Sequence, residues 1–383
     1  MFKYIVTQKE AAEALASAAN SDRYAIDTEF HREKTYYPQV ALVQLAWEDQ
    51  VVLIDPLVVD CAPFADLLRG DGLCILHAGV QDLEVLELAC GEIPTHVFDT
   101  QLAAGFLGLS TASLASLLDR FMDVSLTKGD RLTDWLHRPL TGDQLAYAAA
   151  DVDNLLELAQ IIEKQLKDLG RVQWALDESA LMRNKPTRRP PAEAINRIKE
   201  ARSLKGKNRQ VAVALATWRE TKASEIDVPV RQVLSDLGVV ALAQRQPNSQ
   251  DDLKNLRGVD RRHLRGGASN ELLEVVKQGQ SQPVMTPPPK KGVGLPKHLR
   301  PVITLVTAWI SQIARDNKID PALLATRSDV EQFLRSEPTR LDSGWRSELV
   351  GDPVNKLISG EAAVAFDGDG RLVLETRSHT EIS

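Results

Sequence analysis

Short, nearly uninterrupted apolar runs alternate with stretches of helical spacing over the first 180 residues of the chain. The runs "RYAIDTEF", "VALVQLAW", "QVVLID" and "LCILHA" are rich in aliphatic and β-branched residues, with turn signals between them, which predicts strands. "QKEAAEALASAA", "QDLEVLELAC" and "QLAAGFLG" carry helical spacing instead. Only "EDQ" separates the second and third runs, so they form a hairpin and give the sheet an antiparallel component. The expected fold is an α/β domain over residues 1–180, a mixed sheet flanked by helices. Thr141, with Gln144 three residues on, forms a capping box that starts the helical stretch "TGDQLAYAAADVDNLLELAQIIEKQL". After "RNKPTRRPP" strand signals largely disappear. Residues 204–279 read as a small all-α domain, 280–296 as a Pro- and Gly-rich linker, 297–361 as a second helical domain, and 362–383 as a tail with a hairpin around Asp367–Gly370. "DGDG" is no calcium loop, because the twelfth position counted from Asp367 is Ser378 rather than Glu.

Charge sharpens this division. Residues 1–160 hold 10 Lys and Arg against 25 Asp and Glu, whereas residues 183–291 hold 22 against 11. The balance suggests metal-binding carboxylates in the first part and a polyanion held by the second. At 383 residues there is room for two or three domains with their own cores. No apolar run is long enough to span a membrane, and "MFKYIVTQKE" has no signal-peptide core, so the expected location is the cytoplasm. Cys61, Cys74 and Cys90 lack metal-site spacing and sit among apolar residues, so they read as reduced core positions.

The chemistry starts in "YAIDTEF". Asp27 and Glu29 are two residues apart on one strand and therefore face the same way. Like charges so placed repel and resist desolvation unless a cation lies between them. Asp82 falls in the first turn of a helix, and Tyr147 and Asp151 stand at i and i+4 around three alanines, on one helical face. Each feature alone has a plain structural explanation: a solvated strand edge, a favourable charge at a helix N-terminus, an exposed helix face.

Together, in this order, they resemble the DEDD superfamily of 3′→5′ exonucleases in its Tyr-containing branch. "IDTEFHREKTYYPQVALVQLA", "LHAGVQDLEVL", "DTQLAAGFLG" and "LTDWLHRPLTGDQLAYAAADV" look like the ribonuclease D family over nearly the whole chain. Residues 204–279, with "ALATWRE", and the more divergent 297–361, with "GWRSELVG", resemble the HRDC fold of that family and of RecQ-type helicases. The resemblance implies a ribonuclease H-like catalytic domain followed by two HRDC-like domains. It also implies a two-metal-ion 3′→5′ exoribonuclease that releases 5′-nucleoside monophosphates from tRNA precursors with 3′ extensions. Oxygen ligands suit Mg²⁺ or Mn²⁺. By resemblance Asp27 bridges both ions, Glu29 and Asp151 complete the site of the attacking water, and Asp82 holds the second ion partly through water. Tyr147, a weak base at neutral pH, orients the water.

Substrate contacts are less sharply marked. Phe30 and Tyr37 are candidates for stacking bases, Gln44 for a sugar hydroxyl, and Lys128 and Arg138 for phosphates, each with packing or solvation as an equal reading. Tyr36, His77, Trp218 and Trp309 read as packing residues and Asp99 as a helix N-cap. "RNKPTRRPP", "RIKEARSLKGKNR" and "RGVDRRHLRGG" surround the first HRDC-like domain with cations suited to tracking RNA phosphates. Two competing readings are a proofreading-type DNA exonuclease, which lacks its polymerase here, and an inactive nucleic-acid-binding protein, which would be expected to have lost some of the acidic positions. No obligate protein partner is implied, and a monomer and a dimer both remain open.

Overall fold

The computed structural model describes residues 1–126, 133–185, 190–254, 256–264, 267–282 and 299–378. Lys128 and most of the 280–296 linker therefore lie outside the described residues. The first region is built from β1 (Phe2–Ile5), α1 (Gln8–Ala18), β2 (Arg23–His31), β3 (Gln39–Trp47), β4 (Gln50–Ile54), α2 (Phe64–Arg69), β5 (Leu73–Leu76), α3 (Val80–Cys90) and β6 (His96–Asp99). Helices α4 (Thr100–Gly105), α5 (Leu114–Met122), α6 (Gly142–Asp153), α7 (Leu155–Asp168) and α8 (Val172–Arg183) complete it.

The six strands form one mixed sheet in the order β1-β4-β3-β2-β5-β6. The β2/β3 and β3/β4 pairs are antiparallel, and the other neighbours are parallel. Its inner strands are largely apolar on both faces, because both faces are covered. Ala25, Leu42, Ala46, Val51 and Leu53 belong to the cluster shared with α6 and α7. Ile26, Val43, Leu45, Val52 and Ile54 belong to the opposite cluster, with Leu15, Leu68 and Leu83 of α1–α3. The capping box of Thr141 and Gln144 starts α6 as expected. The helical stretch that follows is not continuous, because it breaks at Asn154, whose ψ of 3° leaves the helical range and separates α6 from α7.

A helical unit follows: 3₁₀ turns at Pro191–Arg197 and Lys199–Ser203, then α9 (Gly206–Glu225), α10 (Val230–Val233), α11 (Asp236–Arg245), α12 (Gln250–Leu253) and α13 (Ala268–Ser281). Its core joins Ala194, Ile195, Ile198 and Ala201 to Val211, Leu215, Leu242 and Val276, so it draws on residues before the expected start at 204. A Cβ at Gly279 would lie 2.7 Å from the Val211 Cα, which explains a glycine where α13 crosses α9.

The last helical region contains α14 (Arg300–Asn317), α15 (Pro321–Leu324), α16 (Arg327–Phe333), α17 (Gly344–Arg346) and, after a π turn, α18 (Asp352–Ile358). Val306, Ile310, Leu323, Trp345 and Val350 join the same apolar cluster as the nuclease-side Phe106, Leu158 and Ile162. Trp345 stacks on Trp174 at 4.9 Å between centroids and meets Phe106 edge-on at 5.3 Å. Arg346 and Glu178 form a buried ion pair beside them. The chain closes in the expected hairpin, β7 (Ala362–Phe366) against β8 (Leu372–Thr376). Among the described residues no helix is long and apolar enough to cross a membrane. Cys61, Cys74 and Cys90 are buried and unpaired.

Candidate active site

β2 delivers Asp27 and Glu29 to one face, and α6, lying across β2, β3 and β4, brings Asp151 over them. One carboxylate oxygen from each of the three lies within 4.8 Å of the others. Asp82 approaches from the first turn of α3, where its Oδ1 accepts hydrogen bonds from the Thr28 hydroxyl (2.6 Å) and amide (3.2 Å). Tyr147 stands one turn before Asp151, its ring 6.1 Å from that of Trp135. All five motif residues therefore converge.

The turn before α3 is unusually constrained. Ala78 takes a left-handed φ of 57°, and the Gly79 amide donates to Asp99 Oδ2 at 2.8 Å. Asp99 Oδ1 also accepts from Gln101 and Leu102 as the N-cap of α4. His77 is half-buried and sits 2.9 Å from the Thr100 hydroxyl, so it is engaged in structure.

Burial and mutual repulsion raise the whole carboxyl set. Asp27 is held well above the ordinary carboxylate range by burial and then by Asp82, Asp151 and Glu29. Glu29 is pushed up to about 8 by burial, Asp151 and Asp82. Burial followed by Asp82 takes Asp151 to about 7. Asp82 reaches only about 6, because its Thr28 hydrogen bonds oppose burial. Tyr147 rises to about 12 through burial and the neighbouring carboxylates. Among the described residues none of the four carboxylates is paired with a Lys, Arg or His. An all-oxygen, strongly anionic cluster without its own countercharge fits a hard divalent cation.

Two expected substrate contacts are corrected. The Arg138 guanidinium is taken up inside the protein: Nε and Nη2 meet Asp55 Oδ2 and Oδ1 at 2.6 and 2.8 Å, and Nη2 also donates to the Ala41 carbonyl at 2.7 Å. Ala41 is the residue skipped where the β2/β3 register shifts between Glu29 and Phe30. Arg138 thus caps a β-bulge next to Glu29, and such bulges re-aim side chains at the rims of sites. Gln44 is fully buried in the sheet and does not reach a sugar at the surface.

The aromatic candidates fare differently. Phe30 is half-buried with the Arg32 guanidinium 5.8 Å from its ring centroid. Tyr36 and Tyr37 pack edge-on, and their amides both donate to Asp227 Oδ1 at 3.0 Å, while the Tyr36 hydroxyl donates to Glu220. Glu220 in turn pairs with Arg197 at 2.8 Å. The loop after β2 is therefore fastened to the first helical unit. Trp218 donates to Glu271, and Trp309 packs against the nuclease cluster. Thr28 and Trp135 were not singled out from sequence. The first stands between two motif residues, but the second has no local signal.

Comparison with known proteins follows this geometry. Residues 2–167 match the 3′-5′ exonuclease family model, and residues 208–276 match the HRDC domain. The ribonuclease D of Bartonella henselae is 34% identical over 375 residues, covering 94% of this chain and 91% of that protein. The chain belongs to the ribonuclease D family. The ribonuclease D of Cronobacter turicensis is likewise 34% identical, over 92% of this chain and 99% of its own length. The crystal structure of Escherichia coli RNase D, described as an exoribonuclease involved in structured RNA processing, superposes with a TM-score of 0.83 at 32% identity, covering 94% of this chain and 99% of that one. As a ribonuclease D family member, the chain is a metal-dependent 3′→5′ exoribonuclease with an α/β exonuclease domain followed by an HRDC domain.

Proposed function

We propose that this protein trims the 3′ ends of tRNA precursors and other structured RNAs by two-metal-ion hydrolysis, releasing 5′-nucleoside monophosphates. The observation that carries the reading is the convergence of Asp27, Glu29 and Asp151 within 4.8 Å. When bound, a pair of Mg²⁺ or Mn²⁺ ions supplies charge neutralisation at the scissile phosphate and acidifies the attacking water.

The residues divide the remaining work. Asp27, held above the ordinary carboxylate range by burial and then by all three of the other carboxylates, would be the ligand shared by the ions. Glu29 and Asp151 would hold the ion that supplies the attacking water. Asp82 stands outside the tight trio with Oδ1 engaged by Thr28, which suits a looser ligand on the leaving-group side. Tyr147, whose pKa burial and the neighbouring carboxylates push up to about 12, is suited to orienting water through its hydroxyl. Phe30 and Tyr37 remain candidates for base stacking, the second from the joint between nuclease and HRDC unit.

The basic residues of the first HRDC unit track phosphates without reading sequence. Residues 297–361 act as a divergent second HRDC-like element, fused to the nuclease core. The boundaries 1–180, 204–279 and 297–361 frame this division of labour, and Ala194 to Ala201 also pack into the core of the middle unit. The reading includes a monomer working in the cytoplasm, where buried unpaired cysteines persist.

A 3′-extended tRNA labelled at its 5′ end tests the proposal. Stepwise shortening with Mg²⁺ or Mn²⁺, absent with EDTA and in Asp27→Ala, is the expected result. Salt-sensitive binding without shortening under either metal would overturn it. Tyr147→Phe should slow shortening while Mn²⁺ affinity holds.

A further inference from the structure

Gln44 breaks the pattern of its strand. It is the one polar residue in "VALVQLAW", it is fully buried, and neither amide atom finds a hydrogen-bond partner among the described residues. An apolar residue there would avoid leaving a buried donor and acceptor unpaired. Its position shows what the amide is near. In the antiparallel β2/β3 register Gln44 is directly opposite Asp27, so the two side chains leave the same face as neighbours. That face is otherwise lined by Leu42, Ala46 and Leu53 and roofed by α6 through Ala148 and Ala149.

We propose that Gln44 is a positioning residue for Asp27. In the cation-loaded enzyme its Nε2 donates to the Asp27 carboxylate, directly or through one buried water, and fixes the orientation in which Asp27 meets the cation. The inference rests on the two-cation reading above. The chemistry of the side chain favours this role. A Lys or Arg opposite Asp27 would neutralise the carboxylate and compete with the cation, and a Leu would leave the carboxylate free to turn. A neutral donor orients the ligand without competing, as partners behind metal ligands commonly do.

The test is Mn²⁺ binding to the full chain, read from the loss of the free-ion electron paramagnetic resonance signal, with melting of the EDTA-treated proteins in parallel. Gln44→Met, of similar length but without donor or acceptor, should melt at or above the native temperature. It should bind Mn²⁺ about 10–100-fold more weakly, with KM for a 3′-extended RNA unchanged. Gln44→Leu provides a second folded background. Mn²⁺ affinity within twofold of native in these variants, with Asp27→Ala clearly weaker, would overturn the role of Gln44 alone. Native affinity in Asp27→Ala would instead overturn the metal-site reading beneath it. Failure of both Gln44 variants to fold would also overturn the proposal, since it would assign the amide to core stability.

Discussion

The two helical regions that follow the nuclease are joined to it in opposite ways. Residues 191–282 enclose a core of their own and meet the catalytic domain through polar contacts, Asp227 with the Tyr36 and Tyr37 amides and Glu220 with the Tyr36 hydroxyl. Residues 300–358 have no such separate cluster, because Val306, Trp345 and Val350 belong to the core that also holds Phe106 and Leu158. A polar joint transmits position and little stability, whereas a shared apolar core makes two segments one folding unit. The exonuclease domain, in energetic terms, extends beyond its own stretch of sequence and skips a module on the way.

Trp345→Ala gives the largest expected effect. It should remove about 3–5 kcal/mol from the nuclease, and with it much of the activity at physiological temperature, although Trp345 is not one of the motif residues. Thermal melting together with the RNA-shortening assay checks this, and a nuclease transition unchanged by the substitution would break the comparison. Leu242→Ala, in the core of the other unit, should cost about 2–3 kcal/mol but only there. Shortening of an oligonucleotide too small to reach the HRDC unit is expected to proceed at the native rate.

Asp227→Ala acts on the joint itself and should cost about 1 kcal/mol. Faster amide exchange at Tyr36 and Tyr37, with both cores intact, is the signature to seek. Native exchange rates there would mean that the joint is held by other contacts.

A pH slope sharpens the distinction further. The site carboxyls of the metal-free nuclease titrate at about 6 to 8 when folded, for Asp82, Asp151 and Glu29, but at about 4 when unfolded. Between these values the folded state holds more protons, so its stability falls as pH rises. In EDTA the nuclease transition should therefore drop between pH 5.5 and 8.0, while the HRDC transition keeps its place. A saturating divalent cation should reverse the slope, since it displaces those protons.

Much of the site is legible in the sequence because its signals are local. The strand period puts Asp27 and Glu29 on one face, the helical period stacks Tyr147 and Asp151, and each of these elements forms where its own residues direct. What escapes is what depends on distant partners. Arg138 reads as a free cation until Asp55, 83 residues away, and the Ala41 carbonyl claim it. Gln44 reads as a solvated position because polarity within a strand usually marks the exposed face, yet this sheet has none at that point. The break at Asn154 lies inside a continuous helical pattern, where α6 must cross the sheet and α7 must pack beside it. Nothing in "GWRSELVG" announces that its Trp345 completes a core begun at Phe106.

That shared tryptophan also has a consequence for synthesis. A ribosome makes the motif residues first, and by the time Asp151 emerges every group needed for cutting RNA is already outside. Phe106 still lacks the ring that covers it, which arrives nearly two hundred residues after Asp151. Until then the half-made enzyme carries an open apolar seam, a target for chaperones, beside a site whose scaffold is unfinished. The apolar core around Phe106 is therefore completed only once the helical region that carries Trp345 has emerged.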